Sequence, residues 1–304
     1  MKQKTIKDSF TLSGKGLHTG LMIHARFLPS EENTGIRICR VDLPGKPTYE
    51  ALATYVKGTT RGTVLENGEW KVSTVEHALS ALYAYGVTNC LIEVDAPEVP
   101  LLDGSAVPYV EALERVGVVE QEAEAKEWIV TEPVIFDSGK GNKLIITPSD
   151  KYEVEVLVDF PSPVVRQQRA ILSDLSSYGK DIAKARTFCF LREIKPLLAL
   201  GLIKGGDLQN ALVIYDKKIL QWRMNRLCRK LGCEPIDASK LGYLSELKYE
   251  NEPARHKLLD IIGDLSLIGQ RIRGRIYAER PGHGFNTACA KEIVERCTKD
   301  RCTM

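Results

Sequence analysis

The chain has 304 residues, 43% of them apolar, enough for one large core or two ordinary ones, with two the better expectation. Forty-two Lys and Arg against 40 Asp and Glu leave a net charge of +2, so no global field attracts nucleic acid and any anion must be met by a local site. The opening MKQKTIKDSF lacks the apolar stretch of a leader, and the longest apolar runs, such as PLLALGLI, are too short to cross a membrane, so a soluble, cytoplasmic chain with no transmembrane segment is expected.

Residues 1 to 55 alternate β-branched and polar residues between turn signals, in TIKDSFTL, LMIHARFLP and GIRICRVDLPG, and predict strands and hairpins. The run from Ser73 to Tyr85, with an early Glu76 and a closing Gly86, predicts a helix. NCLIEVDAP predicts a strand, LLDGSAVP a turn, and PYVEALERVG a helix with Pro108 in its first turn. The polar, acidic VVEQEAEAKEW, about 118 to 128, reads as an inter-domain linker with the boundary near 125. Strands follow in WIVTEPVIF, KLIITP and YEVEVLVDF, then a helical stretch led by Ser173 through SDLSSYGKDIAKARTFCFL. Residues 192 to 216 predict a short helix, a glycine turn and a strand. A long helix at 253 to 269, the strand RIRGRIYAER and a last helix from about 286 complete the chain. Each half runs from strands to a helix rich in chemical groups, which predicts an α+β fold and suggests a diverged duplication, although no residue identity repeats at a fixed offset.

Eight cysteines, at 39, 90, 189, 228, 233, 289, 297 and 302, are too scattered for a disulfide framework and are read as reduced thiols. The pairs Cys228 with Cys233 and Cys297 with Cys302 lack the short spacing that structural zinc sites prefer, so they are a minor candidate. A stronger one lies in HKLLDIIGDL, where His256, Asp260 and Asp264 recur every four residues and therefore share one helix face. A lone H-x3-D is more often an intrahelical hydrogen bond. Here Asp264 extends the face, and Lys257, about 100° round the helix, can reach an anionic substrate. Zinc hydrolases use three protein ligands and leave a fourth position for water, whose pKa falls to about 7, so His256, Asp260 and one further histidine would suffice. His77 directly follows Glu76, and a carboxylate beside a ligand could take a proton from that water; the plainer alternatives are a packed histidine and an acid favoured at a helix start. His283, between Gly282 and Gly284, can stand close to a ligand, with a carboxylate such as Asp264 keeping it protonated, or be a loop histidine with no task. The segment GKGLHTG has the wrong spacing for a dinucleotide loop and predicts a tight hairpin; a substrate-facing role for His18 stays open. No phosphate-binding G-x4-G-K-[ST], C-x-x-C pair or G-x-S-x-G elbow occurs.

Taken together and in order, GKGLHTG, VSTVEHALSAL, LLDGSA, ARTFCF, LIKGGD, NEPARHKLLDIIGDL and GHGFN resemble the UDP-3-O-acyl-N-acetylglucosamine deacetylases of lipid A synthesis, over nearly the whole chain. The resemblance implies a cytoplasmic, zinc-dependent amidase that removes acetate from UDP-3-O-(3-hydroxyacyl)-N-acetylglucosamine, the committed step toward lipid A. It implies two similar α+β domains, here 1–124 and 125–304, with helices sandwiched between two sheets and the site at their interface. By motif, His77, His256 and Asp260 would bind Zn2+, Glu76 would be the general base, and His283, charged and oriented by Asp264, would be the cationic acid. Thr187 would contact the oxyanion, Lys257 the diphosphate and, by position alone, Phe160 the uracil. An insert near 192–216 would form a βαβ-like apolar passage for the acyl chain. The segment after His283, GFNTACA, departs from the family pattern. Some relatives carry a fused hydroxyacyl dehydratase, which makes a fused or associated dehydratase the implied partner. Two rival readings remain: a non-catalytic binder of UDP-sugar lipids, and a zinc amidase acting on another acetylated substrate.

Overall fold

The computed structural model describes residues 1–231 and 234–302. Seven α-helices are present among them: α1 Glu76–Ala84, α2 Val107–Val116, α3 Tyr178–Asp181, α4 Leu191–Ala199, α5 Gln221–Leu231, α6 Glu252–Ser266 and α7 His283–Cys302.

Alternation builds the sheets. In Met22–Pro29 the side chains of Ile23, Ala25 and Phe27 are buried while His24 and Arg26 face outward, and Phe27 stacks on Phe10 of the neighbouring strand with ring centroids 4.5 Å apart. The first half has a sheet in the order Phe10–Lys15, Met22–Pro29, Cys90–Val94, Ile36–Arg40, Thr48–Glu50. The second half has one in the order Val134–Asp137, Lys143–Thr147, Arg271–Glu279, Tyr152–Asp159, Gln167–Leu172. In both, the central strand comes last in the chain, directly after a helix, and pairs antiparallel on one side and parallel on the other. Both central strands lead into a further helix, α2 or α7. The duplication invisible in residue identities is therefore present in the topology, and the fold is α+β with two similar halves.

The equivalent helices α1 and α6 pack on one another, and α6 lies on the second sheet. Leu79 and Leu82 of α1, Leu258 and Ile262 of α6, Phe27 and Ile92 of the first sheet, and Val156 and Ile276 of the second belong to one continuous core. A glycine sets how closely the helices cross. A Cβ on Gly263 would lie 2.2 Å from the backbone oxygen of Glu76, so α1 can sit here only because α6 has no side chain at that position. Gly263→Ala, ordinarily favourable in a helix interior by up to about 1 kcal/mol, is expected here to destabilise by about 1–3 kcal/mol through overpacking and to weaken metal binding, as read by thermal melting and metal titration.

Three stretches differ from expectation. Residues 118–128 are not a linker: Val118–Glu124 pairs antiparallel with the N-terminal strand Lys2–Ile6, and Glu127–Ile129 runs parallel to Arg271–Glu279. The acids that read as a solvated tether face lysines of the first strand, with Lys4 3.3 Å from Glu120 and Lys2 3.4 Å from Glu124. The helix led by Ser173 shrinks to a 3-10 turn and the four residues of α3. Tertiary partners take the backbone groups beyond it: Ala106 donates to the Ala183 carbonyl, and Thr187 donates to that of Gly104 at 2.7 Å. The last helix starts at His283, earlier than expected, so that histidine occupies a helix N-terminus.

Phe188–Phe190 and Leu212–Tyr215 are parallel neighbours joined through α4, a βαβ arrangement. Cys39, Cys90, Cys189, Cys228 and Cys289 have no disulfide partner. The pairing of Cys228 with Cys233, and the Cys302 side chain in the other pair, lie outside what is described. No described helix is long and apolar enough to cross a membrane.

Candidate metal centre

Glu76 and His77 are the first two residues of α1, and the chain enters the helix through Thr74 at φ 59°. A β-branched residue in this left-handed region is strained and needs outside support. The support is Glu98, fully buried, whose carboxylate accepts from the Thr74 hydroxyl at 3.0 Å, the His18 and Thr19 amides at 2.9 and 3.0 Å, and the Thr19 hydroxyl at 2.9 Å. One carboxylate thus ties the GKGLHTG hairpin to the start of α1.

α6 brings His256, Asp260 and Asp264 to the same place on a single face. One ligand atom from each of His77, His256 and Asp260 lies within 4.8 Å of the others, although 179 residues separate His77 from His256 in the chain. The two imidazoles meet edge to face with centroids 5.2 Å apart. His256 Nδ1 lies 3.1 Å from the Ala185 carbonyl, which leaves Nε2 turned to the cluster. Burial above all lowers both His77 and His256 to about 4, keeping the rings neutral. Burial opposes the charge on Asp260, but the cations of Lys257 and His283 outweigh it and hold that carboxyl well below the usual range. Asp260 Oδ1 is buried without a hydrogen-bond partner. Two neutral imidazoles, one carboxylate and an unsatisfied buried oxygen suit a divalent cation.

Two further groups flank the cluster. Burial foremost raises Glu76 to about 7; its Oε1 stands 3.9 Å from His283 Nε2, and its Oε2 accepts from the Thr63 amide at 3.1 Å. Burial also works against charge on His283, but Asp264 and Asp260 prevail and raise it to about 9. His283 Nδ1 is 2.9 Å from Asp264, whose carboxylate also accepts from Asn286 Nδ2 at 2.9 Å and the Thr63 hydroxyl at 2.5 Å.

A cavity of about 580 Å³ has Glu76, His77, His256, Asp260 and His283 in its wall, together with Phe160, Thr187 and Lys257. Asp264 lies behind it, fully buried. Phe160 packs edge to face on Phe188 and Phe190, centroids 5.5 and 5.7 Å away. Lys257 points inward, donating to Asp260 at 2.7 Å. His18 is absent from the wall, although its neighbour Leu17 belongs to it. A second, apolar cavity of about 120 Å³, lined by Ile194, Leu197, Ile203, Leu208 and Val213, shares Leu17, Arg61, Thr187 and Phe188 with the first, so the two adjoin.

A family model described as UDP-3-O-acyl N-acetylglycosamine deacetylase matches residues 3–228 and 236–295. The chain belongs to that family. It is 54% identical over 295 residues to a bifunctional enzyme LpxC/FabZ of Porphyromonas gingivalis, covering 96% of this chain and 64% of that protein. It is 38% identical over 296 residues to a UDP-3-O-acyl-N-acetylglucosamine deacetylase of Helicobacter hepaticus, covering 97% and 90%. A deacetylase of the same name from Syntrophus aciditrophicus is 36% identical over 296 residues, covering 97% and 86%. The chain spans a little under two thirds of the length of the bifunctional relatives.

Within this deacetylase-family chain, Thr63, Glu98, Asn286 and the Arg186–Glu252 pair had no signal in the sequence; each is a single polar residue whose partner is remote in the chain. Buried Arg186 donates to Glu252 through Nε and its backbone amide at 2.9 and 3.0 Å, and to the Glu246 carbonyl at 2.6 Å. It fixes the loop that presents both the Ala185 carbonyl and Thr187. Arg186→Ala would leave Glu252 buried and unpaired, with an expected loss of about 3–5 kcal/mol in denaturant unfolding.

Proposed function

We propose that this chain hydrolyses the N-acetyl group of UDP-3-O-(3-hydroxyacyl)-N-acetylglucosamine and releases acetate, the committed step of lipid A biosynthesis, in the cytoplasm. The observation that carries this reading is the convergence of His77 with His256 and Asp260, beside Glu76 and His283, in a cavity that adjoins an apolar one. Residues 1–124 and 125–304 are taken as two domains with the reaction at their seam.

In this reading His77, His256 and Asp260 hold zinc, which when bound supplies a Lewis acid for the acetamide carbonyl and lowers the pKa of water. Glu76, kept near neutrality by burial, takes the proton of the attacking water. His283, held cationic by Asp264, faces the developing oxyanion and delivers a proton to the leaving amine, with Thr187 as a further donor. Phe160 offers an aromatic face to the uracil, and Lys257 meets the diphosphate after exchanging its contact with Asp260. The acyl chain occupies the cavity of the 192–216 insert. The names of the bifunctional relatives support a fused or associated hydroxyacyl dehydratase.

Acetate release from the acylated UDP-sugar, measured before and after dipicolinate treatment and zinc return, tests the reading. Expected are loss on chelation, recovery on zinc addition, and far slower release from UDP-N-acetylglucosamine without its acyl chain. Undiminished turnover after chelation, or turnover of other acetamides only, would sink it.

A further inference from the structure

The segment from Lys217 to Arg229 has no part in the site above, yet its surface is unusual. Lys217, Lys218, Arg223, Arg226 and Arg229 are all exposed, and α5 contains no acid. Of the flanking acids, Asp216 is engaged by Arg192 and Asp237 by Lys240 at 3.8 Å, while Glu234 is exposed beyond the end of the helix. Among the described residues, none of the five cations has a carboxylate partner. Set among them are Leu220 and Trp222, 61% and 57% exposed.

These apolar groups are held outward. The inner face of α5, Met224 and Cys228, packs on Tyr215 and Ala238 as a small core of its own. Tyr215 donates its hydroxyl proton to the Ala238 carbonyl and accepts from the Ile219 amide, each at 2.9 Å. Gln221 donates to the Ile236 carbonyl and accepts from the Ala238 amide. Leu220 and Trp222 therefore cannot fold inward without breaking this frame. Trp222, Arg226 and Arg229 follow helical spacing on the outer face, and the Arg223 guanidinium stands 5.2 Å over the Trp222 ring.

We propose that this face docks on an anionic phospholipid surface, the five cations meeting headgroups while Trp222 and Leu220 enter the interface. Charge decides the class of partner: unpaired cations with no interspersed acid seek a dense anion. The exposed leucine and tryptophan decide between anions, since an aromatic and an aliphatic side by side suit the boundary between headgroup and acyl chain, whereas a phosphate backbone gives Leu220 nothing to bury against. Leu200, the most exposed large apolar side chain among the described residues at 72%, lies in the 192–216 insert that precedes this segment. On the proposed reaction, docking here would hold the enzyme where a substrate with a lipid tail gathers; the docking itself does not depend on that reaction.

The test is sedimentation of the full chain with vesicles of phosphatidylethanolamine and phosphatidylglycerol, against vesicles of phosphatidylcholine. Expected are partition onto the anionic vesicles only, a blue shift of tryptophan emission that Trp222→Phe removes, and weakening at about 0.5 M salt. Each cation at an anionic surface contributes roughly fivefold, so Arg226→Glu with Arg229→Glu should reduce partition by more than about 25-fold. Melting temperature and acetate release from detergent-dispersed substrate should be unchanged in that variant, which separates failure of docking from failure of the reaction. No partition at all, partition that survives the double reversal, or binding to a single-stranded RNA oligonucleotide without binding to anionic vesicles each overturns the proposal.

Discussion

Glu76→Gln is expected to lower the rate of acetate release by about a hundred- to ten-thousand-fold, while bound metal and melting temperature stay at wild-type values. The substitution is nearly isosteric, and the amide oxygen can still accept from Thr63, whose amide lies 3.1 Å from the native carboxylate. What disappears is basicity. Glu76 is buried, close to the ligand cluster and 3.9 Å from His283, and the other carboxylates near the cavity are engaged: Glu193, also in the wall, is paired with Arg61 at 2.5 Å. Asp260 belongs to the ligand cluster, and Asp264 is fully buried behind the wall with Thr63, Asn286 and His283 on its oxygens. Turnover by Glu76→Gln at the wild-type rate would remove Glu76 as the base.

Asp260→Ala should behave in the opposite way and lose the metal first, with affinity reduced by at least about a hundred-fold. Two neutral imidazoles remain, and the only charge in the set is gone. Lys257, now 2.7 Å from Asp260, would keep its charge beside the cluster with nothing to offset it, opposing a cation further. Metal titration of the purified variant gives the affinity. A ligand that binds only the folded state raises its stability, so zinc should raise the melting temperature of the wild type and of Glu76→Gln but not of Asp260→Ala. A melting temperature of Asp260→Ala that rises with zinc as the wild type's does would place the ion elsewhere.

Much of the architecture is legible in one dimension because the relevant signals are local. The repeat of His256, Asp260 and Asp264 places them on one face whatever else surrounds the helix, and alternation marks Met22–Pro29 as a half-buried strand. Local signals fail where tertiary partners override them. Polar VVEQEAE becomes a strand because Lys2 and Lys4 stand opposite its acids. The residues after Asp181 leave the helix because Gly104, Ala106 and Glu252 satisfy their backbone groups. Thr63, Glu98 and Asn286 belong to no periodic pattern, and single polar residues of this kind show their use only through what they touch.

By itself the sequence determined the α+β class, the shared face of His256, Asp260 and Asp264 on α6, the acid and histidine opening α1, and the helix and strand within 192–216, all of which follow from spacing along a helix or strand. Only the tertiary structure decided that α1 and α6 cross at Gly263, bringing His77 to His256 and Asp260. It alone showed that the two sheets share a topology, and that Lys257 rests on Asp260. The physical reason is that helix and strand periods act over a few residues, whereas the approach of two helices is set by steric contact between positions nearly two hundred residues apart.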